Sequence, residues 1–141
     1  MRLALAFLII ATPASAWEFT PGLPCLLTHE ESGVAVRLTH DPTRPLFSIT
    51  VSRAIPWPEA DLFAIRFDGA SGLTITTNRH QLDETGKSLT VTDHGFGNVL
   101  DGLSRNDTAT ALIGGQSVQV SLTGAAGPVQ AFEACAAEVG V

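Results

Sequence analysis

From residue 34 onward the chain alternates apolar and polar residues, and a period of two narrows the choice of structure to half-buried β-strands. Val34, Val36 and Leu38 fall on one side while Ala35, Arg37 and Thr39 fall on the other. Phe47-Ile49-Val51 alternates with Ser48-Thr50-Ser52, and Phe63-Ile65-Phe67 with Ala64-Arg66-Asp68. Leu73-Ile75, Leu89-Val91 and Val118-Val120-Leu122 repeat the pattern, and further strands are predicted over Cys25–Thr28 and Thr110–Ile113. Turn-forming clusters separate these runs: Glu31-Ser32-Gly33, Asp41 to Pro45, Pro56-Trp57-Pro58, Asp68 to Gly72, Asp83 to Gly86 and Gly114-Gly115. About eight short strands at this spacing predict an antiparallel β-sandwich or a partly closed barrel. Residues 30–33 and 83–86 read as hairpin connections, which sets Thr28 near Ala35 and His80 opposite Leu89.

Two stretches abandon the alternation. Over 98–104, Val99, Leu100 and Leu103 share a helical face, Asn98 is placed to cap, and Asp101 falls in the first turn, so a helix of one or two turns is predicted. Near the end, Pro128 suits a first helical turn, and Val129, Phe132, Cys135 and Ala136 follow the spacing of an apolar stripe.

The chain's 141 residues fit a single domain. Arg2, an apolar run from Leu3 to Ala11, and the small triplet Ala14-Ser15-Ala16 form the pattern of a secretory signal peptide over 1–16, leaving one β-rich domain over 17–141. That domain carries seven Lys/Arg against fourteen Asp/Glu, a formal charge of −7. With its basic residues scattered singly, it is a poor partner for nucleic acid or anionic membrane. The leader's apolar run is shorter than the ~20 residues of a bilayer span, so no membrane insertion is expected. Cys25 and Cys135 remain after export, and an oxidising compartment predicts a disulfide that staples the C-terminal helix to the first strand.

Residues able to carry chemistry are few. His29, His40 and His94 each adjoin an acidic residue, and with His80 they suggest a His/carboxylate metal site. Hairpin spacing argues against it: His40 sits about five residues, at ~3.3 Å each, from the level of Thr28, and His94 is as far from His80. The histidines are expected at strand ends, solvated or bonded to nearby carboxylates, and no metal or cofactor is assigned. No G-x-S-x-G elbow is present, and Gly69-Ala70-Ser71-Gly72 is ordinary turn composition. The acids Glu59, Asp61, Asp93 and Asp101 show no spacing that pairs them, so no catalytic residue is assigned.

The run Asp93-His94-Gly95-Phe96-Gly97-Asn98 places two glycines before a helix N-terminus, where free N–H groups receive anions and where Arg79-His80 would add positive charge. The plainer reading is a strand-to-helix connection with Phe96 in the core. Trp57, between Pro56 and Pro58, reads equally as a rigid recognition anchor and as a ring folded back to cap the sandwich, and Trp17 shares the packing alternative. Asn106-Asp107-Thr108 matches the glycosylation triplet.

Several strings resemble an uncharacterised family of small exported proteins of Gram-negative bacteria: Trp17-Glu18-Phe19-Thr20-Pro21-Gly22 with Cys25-Leu26-Leu27-Thr28-His29, Asp41-Pro42 to Leu46, Arg79-His80-Gln81-Leu82, and Gly95 through Leu103. The resemblance spans almost all of 17–141 and implies an exported small domain. Some members carry the label of a DNA-repair excinuclease, which this acidic chain, without a G-x-x-x-x-G-K-[ST] phosphate loop, does not fit. The tail from Ala111 to Gly124 and the closing helix resemble the end of invasion-associated locus B proteins, which implies a β-sandwich-like core.

These features predict a non-enzymatic, monomeric, soluble protein of the periplasm that binds an unidentified periplasmic protein or small ligand, or supports the envelope. Its candidate binding surface comprises Trp57, Arg79, His80, Asp93, His94 and Asn98. The alternatives are an inhibitor that inserts the Pro-Trp-Pro loop into a hydrolase cleft, and a small metal-dependent hydrolase using His29, His40, His80 or His94.

Overall fold

The computed structural model describes residues 4–6 and 16–137, so most of the predicted leader lies outside the described residues. Along the chain run β1 (Glu18–Thr20), β2 (Cys25–Glu31), β3 (Val34–Asp41), β4 (Leu46–Ser52), β5 (Phe63–Gly69), β6 (Leu73–Thr77), β7 (Gln81–Leu82), β8 (Ser88–Asp93), α1 (Gly97–Arg105), β9 (Asn106–Ile113), β10 (Gln116–Ser121) and α2 (Ala126–Ala137). They build two antiparallel sheets, ordered β1-β2-β3-β4-β8-β7 and β10-β9-β5-β6, which is a sandwich rather than a barrel. The two strands that sequence periodicity misses, β1 and β7, are three and two residues long. So short a strand shows no alternation.

Turn chemistry sets the register. Ser32 and Gly33 both take positive φ, 49° and 78°, the pair a two-residue type I′ turn requires. Glu31 therefore pairs with Val34 and Cys25 with His40. Thr28 lies opposite Arg37, not Ala35, because the turn is tighter than a 30–33 connection. A shift of two residues keeps every side chain on its own face, so Cys25, Leu27 and His29 face inward with Val34, Val36, Leu38 and His40 in either register. At the other hairpin, Asp83 N–H donates to the Ser88 carbonyl (3.0 Å) and the Asp83 carboxylate accepts the Thr85 hydroxyl (2.9 Å). The connection thus closes between 83 and 88, and Leu82 rather than His80 pairs with Leu89.

The core lies between the sheets, where Leu27, Leu38, Ile49, Phe63, Phe67, Leu89 and Ile113 are buried. Helix α1 begins earlier than Asn98. Phe96 occupies the N-cap position with no side-chain cap, and its carbonyl accepts Leu100 N–H at 2.9 Å. The buried Phe96 ring holds the chain at that entry point, so Asn98 is a helical residue and Asp101 lies past the first turn. Asn106, directly after α1, bonds Ser71 N–H, the Ser71 carbonyl and the Gly102 carbonyl, each at 3.0 Å. A buried amide so engaged is no acceptor for a glycan.

Helix α2 packs on α1, β1 and β2. Val129 and Phe132 are fully buried, and Cys135 is bonded to Cys25 with the Cα atoms 6.5 Å apart. The Ala136 side chain, the last of the predicted stripe, falls outside the described ones.

Candidate binding cleft

The unequal widths of the sheets leave two edges that do not meet. Among the described residues β6 pairs only with β5, so its outer side carries unpaired main-chain groups. β8 pairs with β4 along its length, but β7 covers only Leu89 and Thr90, which frees the Val91–Asp93 edge. Between these edges opens a cleft of about 510 Å³. Its floor is apolar and comes from both sheets: Ile49, Phe63, Ile65, Ile75 and Val91, closed at one end by Phe96. Its rim is polar, with Thr76, Thr77, Arg79, Asp93 and the start of α1.

Arg79 joins Asp93 and Asn98, the two ends of one short run, in lining this cleft. Arg79 Nη1 lies 3.9 Å from Asp93 Oδ2, with both side chains largely in solvent. A pair that long and exposed is weak and leaves the guanidinium free for another partner. Asp93 is oriented by His94 N–H, which donates to its Oδ1 at 2.7 Å. Gly95 and Gly97 take no positive φ, and an added Cβ at either would meet nothing within 4 Å. Neither backbone strain nor packing calls for glycine there, and the bare backbone leaves the mouth open.

The other surface candidates stand apart. His80 Nε2–H donates to the Ala60 carbonyl at 2.8 Å, with its ring 6.1 Å from Phe63. His94 Nδ1–H donates to the Pro45 carbonyl at 3.0 Å. Trp57 is 4% exposed; its Nε1–H donates to the Val51 carbonyl at 3.1 Å, and the Arg53 guanidinium covers its ring at 3.8 Å. The ring is the folded-back cap, so the Pro-rich loop presents no exposed tryptophan. Trp17 is buried likewise, its Nε1–H donating to Ser121 O at 2.9 Å.

Of the histidines expected at strand ends, solvated or bonded to nearby carboxylates, His29 bonds a carboxylate, and both it and His40 are buried. His29 stacks on Trp17 with centroids 4.6 Å apart, and its Nε2–H donates to Glu31, which also accepts Ser121 N–H. Both rings turn inward because each continues the buried face of its strand, His29 after Cys25 and Leu27, His40 after Val34, Val36 and Leu38. His29 pairs with Val36, four residues or ~13 Å along β3 from His40. Among the described residues, no three His, Cys, Asp or Glu side chains come together as metal donors.

His40 lies opposite Cys25, its ring tilted on Phe47 at 4.0 Å. Burial holds it below its ordinary value of 6.5, with Asp41 opposing in part. The unfolded chain therefore takes up a proton before the folded one does. Stability is full above 6.5 and falls with pH towards the lowered native value. Urea midpoints measured from about pH 7.5 to 5 are expected to decline in the parent and to be flatter in His40→Leu. An equal slope in both would reject the assignment. Asp41 and Asp83, held below 3.8 by the Thr43 and Thr85 hydroxyls, act in a separate, more acid window.

No family model, curated protein or solved structure matches the chain. Sequence reasoning missed the floor, because Ile49, Ile65, Ile75 and Val91 carry the same alternation as any core position. The signal that could have found it was Leu73-Thr74-Ile75-Thr76-Thr77 itself, a β-branched strand without the charge, proline or bulge that usually shields an edge.

Proposed function

We propose that this chain is an exported binding domain of the periplasm whose ligand occupies the cleft between β6 and β8. The observation that carries the reading is the cleft itself: about 510 Å³, floored by apolar side chains of both sheets and rimmed by a few polar ones. The Cys25–Cys135 bridge and the leader pattern support export. Among the described residues, no helix is long and apolar enough to cross a membrane. Binding is favoured over hydrolysis because the His94 ring, bonded to the Pro45 carbonyl, does not line the cleft with its single carboxylate, Asp93. The inhibitor alternative needs an exposed aromatic on the Pro-rich loop, and Trp57 is buried.

The neutral dye N-phenyl-1-naphthylamine tests this reading. It is expected to bind saturably with a rise in fluorescence, and Ile75→Trp or Thr77→Trp, which fill the floor and the mouth, should abolish binding at unchanged circular dichroism. Undiminished dye binding in both variants, or no saturable binding in the parent, would remove the cleft as the site.

A further inference from the structure

Resting on the cleft as the binding site, we infer that its occupant is the C-terminal end of an extended peptide, added as a strand beside β6 with its terminal carboxylate at Arg79. Three features select this chemistry. First, among the described residues β6 presents unpaired main-chain N–H and C=O groups beside the cleft, and another extended backbone satisfies such a row as a continuous ladder. Its five residues, Leu73-Thr74-Ile75-Thr76-Thr77, carry no charge and no proline to repel one. Second, the floor is continuous with that edge. A strand laid along β6 turns alternate side chains inward, beside Leu73, Ile75 and Thr77, and the apolar floor accepts apolar ones. The rest of the peptide's side chains face water, where the Thr74 and Thr76 side chains already lie exposed.

Third, the charge at the mouth favours a chain end over a continuous segment. Arg79 is the cation of the rim, its side chain is 71% exposed, and its one acidic neighbour, Asp93, stands at 3.9 Å. A terminal carboxylate offers the planar two-oxygen partner that a guanidinium engages through paired N–H donors. The backbone about Gly95 and Gly97 bears no side chain to obstruct its approach. A continuous segment would place an uncharged amide there instead and gain nothing from the guanidinium.

The probes are two pools of fluorescein-labelled hexapeptides with Val, Ile or Leu at alternate positions, one ending in a free carboxylate and one in an amide. The acid pool is expected to bind and to displace N-phenyl-1-naphthylamine, with the amide pool about tenfold weaker. Arg79→Ala should weaken the acid pool to the level of the amide pool and leave the amide pool unchanged. N-methylation of alternate peptide nitrogens should also cost about tenfold or more, since it removes the strand ladder and spares the side chains. Equal binding of acid and amide, or indifference to N-methylation, overturns the inference. If the dye occupies the cleft and neither pool displaces it, the peptide is wrong and the cleft stands; if the dye also fails, the cleft reading is lost. A concentration-dependent dimer dissolved by Thr74→Lys would assign the edge to a second copy of the chain and overturn the peptide.

Discussion

Replacing both halves of the bridge, as Cys25→Ala/Cys135→Ala, is expected to lower unfolding stability by ~3–5 kcal/mol. The two cysteines are 110 residues apart, so the bridge closes almost the whole described domain into one loop and removes many conformations from the unfolded chain. A local effect adds to this. α2 has twelve residues, and helices of about that length are marginal in water unless packing holds them. Val129 and Phe132 supply packing, and the bridge fixes the following turn to β2 beside His40. Cys25 is fully buried, so its loss also leaves a small gap in the core. Urea unfolding at neutral pH measures the difference, with reduced parent protein as a second route to the same state. A loss below about 1 kcal/mol would show that the bridge is no staple.

Gly102→Ala should destabilise the protein by ~1–3 kcal/mol, although helix propensity alone points the other way by up to ~1 kcal/mol. Gly102 lies within α1, where alanine is the better helix former. A Cβ there would overlap the Phe67 ring, standing 2.7 Å from its Cγ. Phe67 is 1% exposed, and the one space beside it is a core cavity of about 30 Å³, which relieves only part of the overlap. α1 and β5 approach this closely because one residue of the helix lacks a side chain. Gly127→Ala in α2 is the control, since nothing lies within 4 Å of the added methyl. Thermal melts should place the Gly102 variant well below the parent and the Gly127 variant at or above it. A stabilised Gly102→Ala would mean the helix can lift from β5 at little cost.

Most of the fold is legible in the chain's alternation. The eight predicted strands exist, both helices form, and Cys25 is bonded to Cys135. The departures are local and share one cause, the packing of particular side chains and turns that composition does not encode. Ser32, a non-glycine residue at φ 49°, tightens the first hairpin and slides β2 two residues along β3, which sets Cys25 opposite His40. Phe96 starts α1 before Asn98 because a buried ring, not a capping side chain, directs the entry. Trp57 reads two ways along the chain, and the choice falls to a neighbour six residues back, the Val51 carbonyl that accepts its N–H. The site is legible only in part: Arg79, Asp93 and Asn98 read as a polar group, while its apolar floor is indistinguishable from core.

By itself the sequence determined which residues form strands, which form helices, and which faces of them are apolar, because periodicity is a property of neighbours along one chain. Only the tertiary structure decided which strands lie at the edges and how far the two sheets overlap. Those outcomes depend on pairings between distant segments, β4 with β8 and β5 with β9, whose energies arise in contacts rather than in local propensity. The cleft follows from that second kind of information. It exists where β6 and β8 lack a common neighbour, and the same apolar residues that would otherwise be core become a floor open to solvent.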